Sequence, residues 1–144
     1  MNNLDQKNNQ QLEKAIVSAV AYFDIFDFPL TFFEIWQNLY FEKEGCQKFS
    51  LTDVSGKLNE LIKQNVVEKK DGFYFFSGRA EIIKTRLDRY KLAEKKYHLA
   101  LKIAKIFSFI PFVKLTAICN SLAYANSRRG SDIDFFIVTR EKRI

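Results

Sequence analysis

The chain has 144 residues, 47% of them apolar and 28% charged, with fifteen Phe and a formal net charge of +6. That length suits one domain or two very small ones and excludes a large enzyme; the composition is that of a globular protein with bulky core material. No apolar run approaches the roughly 18 residues of a bilayer span, and the first residues lack the basic-then-apolar layout of a signal peptide, so a cytoplasmic protein with no membrane partner is expected.

Residues 1–11 are dominated by Asn, Gln and Lys with a single Leu. They offer too little apolar surface to offset the entropy of ordering and are expected to be a disordered tail. From Leu12 to Phe26 the apolar positions Leu12, Ile16, Ala19, Val20, Phe23 and Phe26 recur at three and four, the stripe of an amphipathic helix. Pro29 ends any helix before it. Thr31 then caps a second helix, with Glu34 completing a capping box and Phe32, Ile35, Trp36 and Leu39 available for burial. Phe41 to Phe49, containing Gly45, reads as a loop.

Ser50 with Asp53 marks the start of a third helix, whose buried face is Val54, Leu58, Leu61 and Ile62. Val66 to Lys69 and Phe73 to Phe76 are β-prone runs around Lys70-Asp71-Gly72, and Asp-Gly in that setting signals a hairpin. Three helices followed by a hairpin predict a winged helix-turn-helix over residues 12–78. A linking helix follows over 79–110, with Ile83, Leu87, Tyr90, Tyr97, Leu101 and Ala104 on one face. At roughly 28 residues it spans about 40 Å, enough to connect two modules.

This helix carries the whole charge excess. Nine basic residues stand against three acidic ones between Arg79 and Lys105, so the remainder is neutral. Such a stripe is either a solvated helix face or a surface that attracts phosphates. Two cysteines, Cys46 and Cys119, and one histidine, His98, match no zinc-ligand spacing and read as ordinary side chains.

Lys114 to Cys119 and Asp132 to Thr139 are strand candidates, the second apolar enough for a largely buried strand. Strand alternation puts Asp132 and Asp134 on one side, about 6.6 Å apart along the backbone, and Ile133 toward the core. Two carboxylates placed so repel each other unless a cation lies between them, and Mg²⁺ prefers oxygen ligands. The pair is thus either a metal clamp at a strand's start or a turn cap beside an exposed carboxylate.

The run from Ala117 to Asn126, a basic loop Ser127-Arg128-Arg129-Gly130, and then Ser131-Asp132-Ile133-Asp134 resembles the nucleotidyltransferase superfamily that includes DNA polymerase beta. The resemblance covers roughly Val113 to Thr139. More weakly, the stretch Tyr22 to Thr31 leading the winged helix resembles the N-terminal part of uncharacterised bacterial nucleotidyltransferase-domain proteins. The family pattern implies an α+β protein in which residues 111–144 are the first strands of an incomplete nucleotidyltransferase mixed sheet. It implies that Asp132 and Asp134 are the catalytic ligands of two Mg²⁺ ions, with Asn120, Ser121 and Ser131 contacting the nucleoside triphosphate. Asn120 stands where the family has glycine, and asparagine tolerates the left-handed angles such a turn demands.

The activity so implied is Mg²⁺-dependent transfer of a nucleotidyl group to a hydroxyl acceptor, whether nucleic acid, small molecule or protein. The family's third carboxylate, on a later strand, has no counterpart before Ile144, so the sequence is expected to be part of a longer protein and inactive alone. The alternative is a winged helix that binds DNA or a protein partner beside an inactive nucleotidyltransferase-like portion. Asp24 and Asp27, flanking aromatics near a helix end, are expected to be solvated or capping.

Overall fold

A computed structural model describes residues 3–40 and 49–141, with side-chain surroundings from residue 6 onward. It is a mixed α+β protein with two small open antiparallel sheets. In chain order the elements are α1 (Asn3–Asp24), β1 (Leu30–Thr31), α2 (Phe32–Gln37), α3 (Leu51–Lys63), β2 (Val67–Lys70), β3 (Phe73–Phe76), α4 (Glu81–Phe107), β4 (Val113–Ile118), α5 (Asn120–Ala123) and β5 (Phe135–Thr139). Two compact units, Met1–Thr85 and Arg86–Ile144, divide the chain, and the boundary falls inside α4.

The first unit is built by local signals. α1 buries Leu12, Ala15, Ile16, Ala19 and Val20, the expected stripe with Ala15 added. It begins at Asn3 rather than at Leu12, so residues 3–11 of the expected disordered tail are helical, while residues 1–2 lie outside the described residues. Once Leu12 and Ile16 anchor a helix, each further residue adds a hydrogen bond at the cost of ordering one residue, and Gln and Lys are good formers. The same helix stops at Asp24, before Phe26, because Asp27 adopts a φ of 51. The Phe28 N–H then donates to the Phe23 carbonyl and the Asp27 N–H to that of Asp24, a Schellman termination.

Thr31 and Ser50 each close a capping box, with Glu34 and Asp53 respectively. Hydrogen bonds from the Ser50 hydroxyl and then from its backbone N–H hold the Asp53 carboxyl below its ordinary pKa. β1 joins the hairpin to give the strand order β1-β3-β2. The hairpin pairs Lys70 with Phe73 across Asp71 and Gly72, whose φ values of 52 and 83 are those of the two-residue turn that matches strand twist. Ile16, Leu30, Ile35, Val54, Leu58 and Val67 are among the buried residues of one core; on the sheet's other face Phe75 packs with Ile82 and Ile83. Phe26, expected in the stripe, is exposed, as is much of Trp36. The Phe41 to Phe49 loop lies outside the described residues up to position 48.

In the second unit β4 pairs antiparallel with β5, Ile118 opposite Phe135, with an irregularity between Val113 and Leu115. α4 contributes Ala93 and Ala100, which pack with Leu122 of α5 and with Ile118, Ala125, Ile133 and Phe135. Of the face expected to be buried on α4, Ile83 is buried and Ala104 half-buried, but Leu87, Tyr90, Tyr97 and Leu101 are exposed, and Ala93 and Ala100 are covered instead. β5 also departs from expectation. It starts at Phe135 rather than Asp132, and Phe136, Ile137 and Val138 are exposed: its sheet has two strands among the described residues, and of β5 only Phe135 joins the core cluster. Among the described residues no helix is long and apolar enough to cross a membrane.

Candidate functional site

The site begins where β4 ends. Cys119 is extended, and Asn120 then turns to a φ of 57, the left-handed region in which an L residue is strained and in which the short polar side chain of asparagine makes it one of the best-tolerated residues after glycine. The single-turn α5 follows and is closed by Ala125 at a φ of 53. There the Ala125 N–H donates to the Leu122 carbonyl at 3.0 Å and the Asn126 N–H to the Ser121 carbonyl at 2.8 Å. Buried Leu122 pins the turn against Ala93 and Ala100.

Asp132 and Asp134 occupy the irregular segment just before β5. The alternation that matters survives there: Ile133 and Phe135 pack on the core, Asp132 is exposed and Asp134 half-buried. The turn and this segment meet at Asp134. Its carbonyl accepts from the Cys119 N–H at 3.1 Å, and its carboxylate oxygen Oδ2 accepts from the Asn120 side-chain amide at 3.0 Å. Asn120 thus lies against the aspartate with which it was grouped from sequence. Neither carboxylate is ion-paired with a lysine or arginine among the described residues.

Ser121 is half-buried in the first turn of α5, and its hydroxyl makes no hydrogen bond among the described residues. Ser131 is differently employed. Its Oγ donates to the Arg128 carbonyl at 2.8 Å and accepts from the Lys96 ammonium at 2.9 Å, and Lys96 also donates to the Arg128 carbonyl at 2.7 Å and to that of Ser131. Arg89 reaches the same loop, donating to the Asn126 side-chain carbonyl at 3.1 Å. Two cations of the basic helix therefore brace the loop that leads into Asp132. Sequence reasoning left them in an undivided charged stripe; their spacing of seven, with Ala93 midway, is the signal that they share the packed face.

As a test of whether Mg²⁺ suits this place, two carboxylates with unneutralised oxygens on one side of the chain are the hard ligands such an ion takes. No group of three or more His, Cys, Asp or Glu with metal-holding geometry occurs among the described residues. Asp24 and Asp27 are not such a site: Arg79 pairs with them at 3.5 and 3.0 Å. Cys119 is a free thiol, and Cys46 lies outside the described residues.

The chain matches no protein-family model, and no curated protein or solved structure is significantly similar to it.

Proposed function

We propose that Asn120, Ser121, Asp132 and Asp134 form the nucleotide and metal end of a nucleotidyltransferase site, in a domain preceded by a winged helix-turn-helix. One observation carries this reading: the turn after β4 closes onto Asp134 through the Asn120 amide, at 3.0 Å, beside two carboxylates that no lysine or arginine pairs with among the described residues. Asp132 and Asp134 would hold Mg²⁺, which when bound supplies charge neutralisation for phosphoryl transfer. The Ser121 hydroxyl is open to a phosphate oxygen, and the left-handed Asn120 turns the backbone so that α5 can begin there. The Ser131 hydroxyl, held by Arg128 and Lys96, shapes the loop, so any contact it makes with a nucleotide is secondary to that bracing.

The experiment is Mg²⁺-dependent ATP and GTP binding by the full chain, followed by calorimetry. The expected result is nucleotide binding that Mg²⁺ strengthens and that, with Mg²⁺ present, weakens more than tenfold in Asp132→Asn and in Asp134→Asn. Affinity in both variants equal to that of the unmodified chain, or no effect of Mg²⁺ on binding, removes the reading.

The helices α1 to α3 with the sheet β1-β3-β2 support the winged-helix assignment, and a contact role for it is favoured over DNA reading. Lys57, one of two cations on α3, is buried with its ammonium on Glu13 and Glu60, out of reach of a phosphate backbone. Tyr22, Ile25, Phe26 and Phe33 are exposed in the same unit and offer apolar contact area. Loss of a low-salt gel shift on neutralising Lys63 and Lys69 would restore the DNA reading.

A further inference from the structure

We propose that the cleft between α4 and the loop 126–130 is a binding pocket for the phosphate groups of a small phosphorylated ligand. The cleft has a volume of about 560 Å³, and its wall is basic: Arg89, Lys91 and Lys95 from α4 face Arg128 and Arg129 from the loop. Asp88 is the one carboxylate in the lining. Lys91 and Lys95 stand four residues apart, the spacing at which like charges on a helix repel, and Arg128 and Arg129 are adjacent in sequence. None of these four is ion-paired among the described residues. Five cations gathered round a concavity with one carboxylate among them leave an excess of positive charge that suits an anion, and guanidinium groups match phosphate oxygens in pairs.

A second, independent feature lies in the same wall. Ser127 is fully buried, and its hydroxyl Oγ has no hydrogen-bond partner among the described residues. A buried hydroxyl is ordinarily satisfied, and a phosphate oxygen is an acceptor that would satisfy this one. The pocket is also built before any ligand arrives. Arg89 holds Asn126 at 3.1 Å, and Lys96 holds the Arg128 carbonyl at 2.7 Å, so the loop's shape does not have to be ordered on binding. The volume is in the range of small-molecule sites, whereas a nucleic-acid strand is followed by a track of cations along its length.

The pocket uses other residues than the carboxylate pair, so it can be tested apart from the proposed activity. Inorganic pyrophosphate is titrated into the full chain without Mg²⁺ at low ionic strength, with ATP and a short single-stranded oligonucleotide as further arms. The expected result is saturable pyrophosphate binding that weakens at least tenfold in the Lys95→Gln, Arg129→Gln double variant. Both side chains are exposed, so circular dichroism should remain unchanged. Affinity should be retained in Asp132→Asn and in Lys102→Gln, which removes an exposed charge outside the pocket. ATP competing with pyrophosphate identifies a nucleotide as the source of the phosphate, and absence of competition identifies another phosphorylated compound. Undiminished binding in the double variant, equal weakening in Lys102→Gln, or no saturable binding overturns the pocket. So does an oligonucleotide that binds and is not displaced by pyrophosphate. Pyrophosphate binding without Mg²⁺-dependent nucleotide binding would keep the pocket and remove the transferase reading.

Discussion

Asn120 bears two demands at once: a φ of 57 and an amide directed at Asp134. The left-handed conformation costs an L residue roughly 1–2 kcal/mol, while glycine meets it freely and a β-branched side chain meets it worst. Asn120→Gly should therefore change the stability of the second unit by less than about 1 kcal/mol, the relief of backbone strain offsetting the lost exposed hydrogen bond. Asn120→Val should destabilise by about 1–2 kcal/mol. Urea denaturation of the three proteins measures this; equal stability of the Gly and Val variants would mean the turn is not held as described. The conformation of Asn120 was legible in sequence because tolerance of positive φ is a property of one residue. Its contact with Asp134 was not, since that depends on β4 and β5 pairing with Ile118 opposite Phe135. Lys57 gives the same lesson. A lysine is ordinarily solvent-facing, but the partner of this one, Glu13, lies on another helix, and only the packing of α1 on α3 brings the two together.

At the scale of elements, the readable parts were those whose signals are local. The Thr31-Glu34 and Ser50-Asp53 boxes start α2 and α3, and Asp71-Gly72 turns the hairpin, because each involves residues within a few positions. β1 is two residues long and exists through its pairing with β3, which no periodicity reveals. α4 is the instructive failure. It carries apolar residues on more than one side, and the largest, at Leu87, Tyr90, Tyr97 and Leu101, weigh most in a pattern. The side that packs presents Ala93 and Ala100, whose small side chains let α5 approach closely. Ala100 is fully buried, so Ala100→Leu should overpack that contact and cost about 1–3 kcal/mol. Leu101→Ala, at a position 47% exposed, should change stability by no more than about 0.5 kcal/mol. Thermal denaturation of the pair decides between the two faces: a larger loss for Leu101→Ala would reinstate the face expected from sequence.

Across the whole molecule, burial is uneven between the two units. Twelve buried residues among those described join in the main core of the first, drawn from α1, α2 and α3 and from each strand of its sheet, and Phe75 covers the sheet's second face. The cluster of the second contains three, Ala93, Ala100 and Leu122, while Leu115, Phe136, Ile137 and Val138 of its sheet remain exposed. Local opening free energy follows how much apolar surface an element buries and how well its hydrogen bonds are shielded. β3 lies between two strands, whereas β5 pairs on one side only. Backbone amides of Tyr74 and Phe75 should therefore exchange with solvent deuterium at least tenfold more slowly than those of Phe136 to Val138, a difference of about 1.4 kcal/mol in opening free energy. Hydrogen exchange read by mass spectrometry on peptides covering β3 and β5 measures both in one experiment. Protection of β5 equal to that of β3 would show that its exposed apolar face is covered in solution, and would contradict the openness of the second sheet.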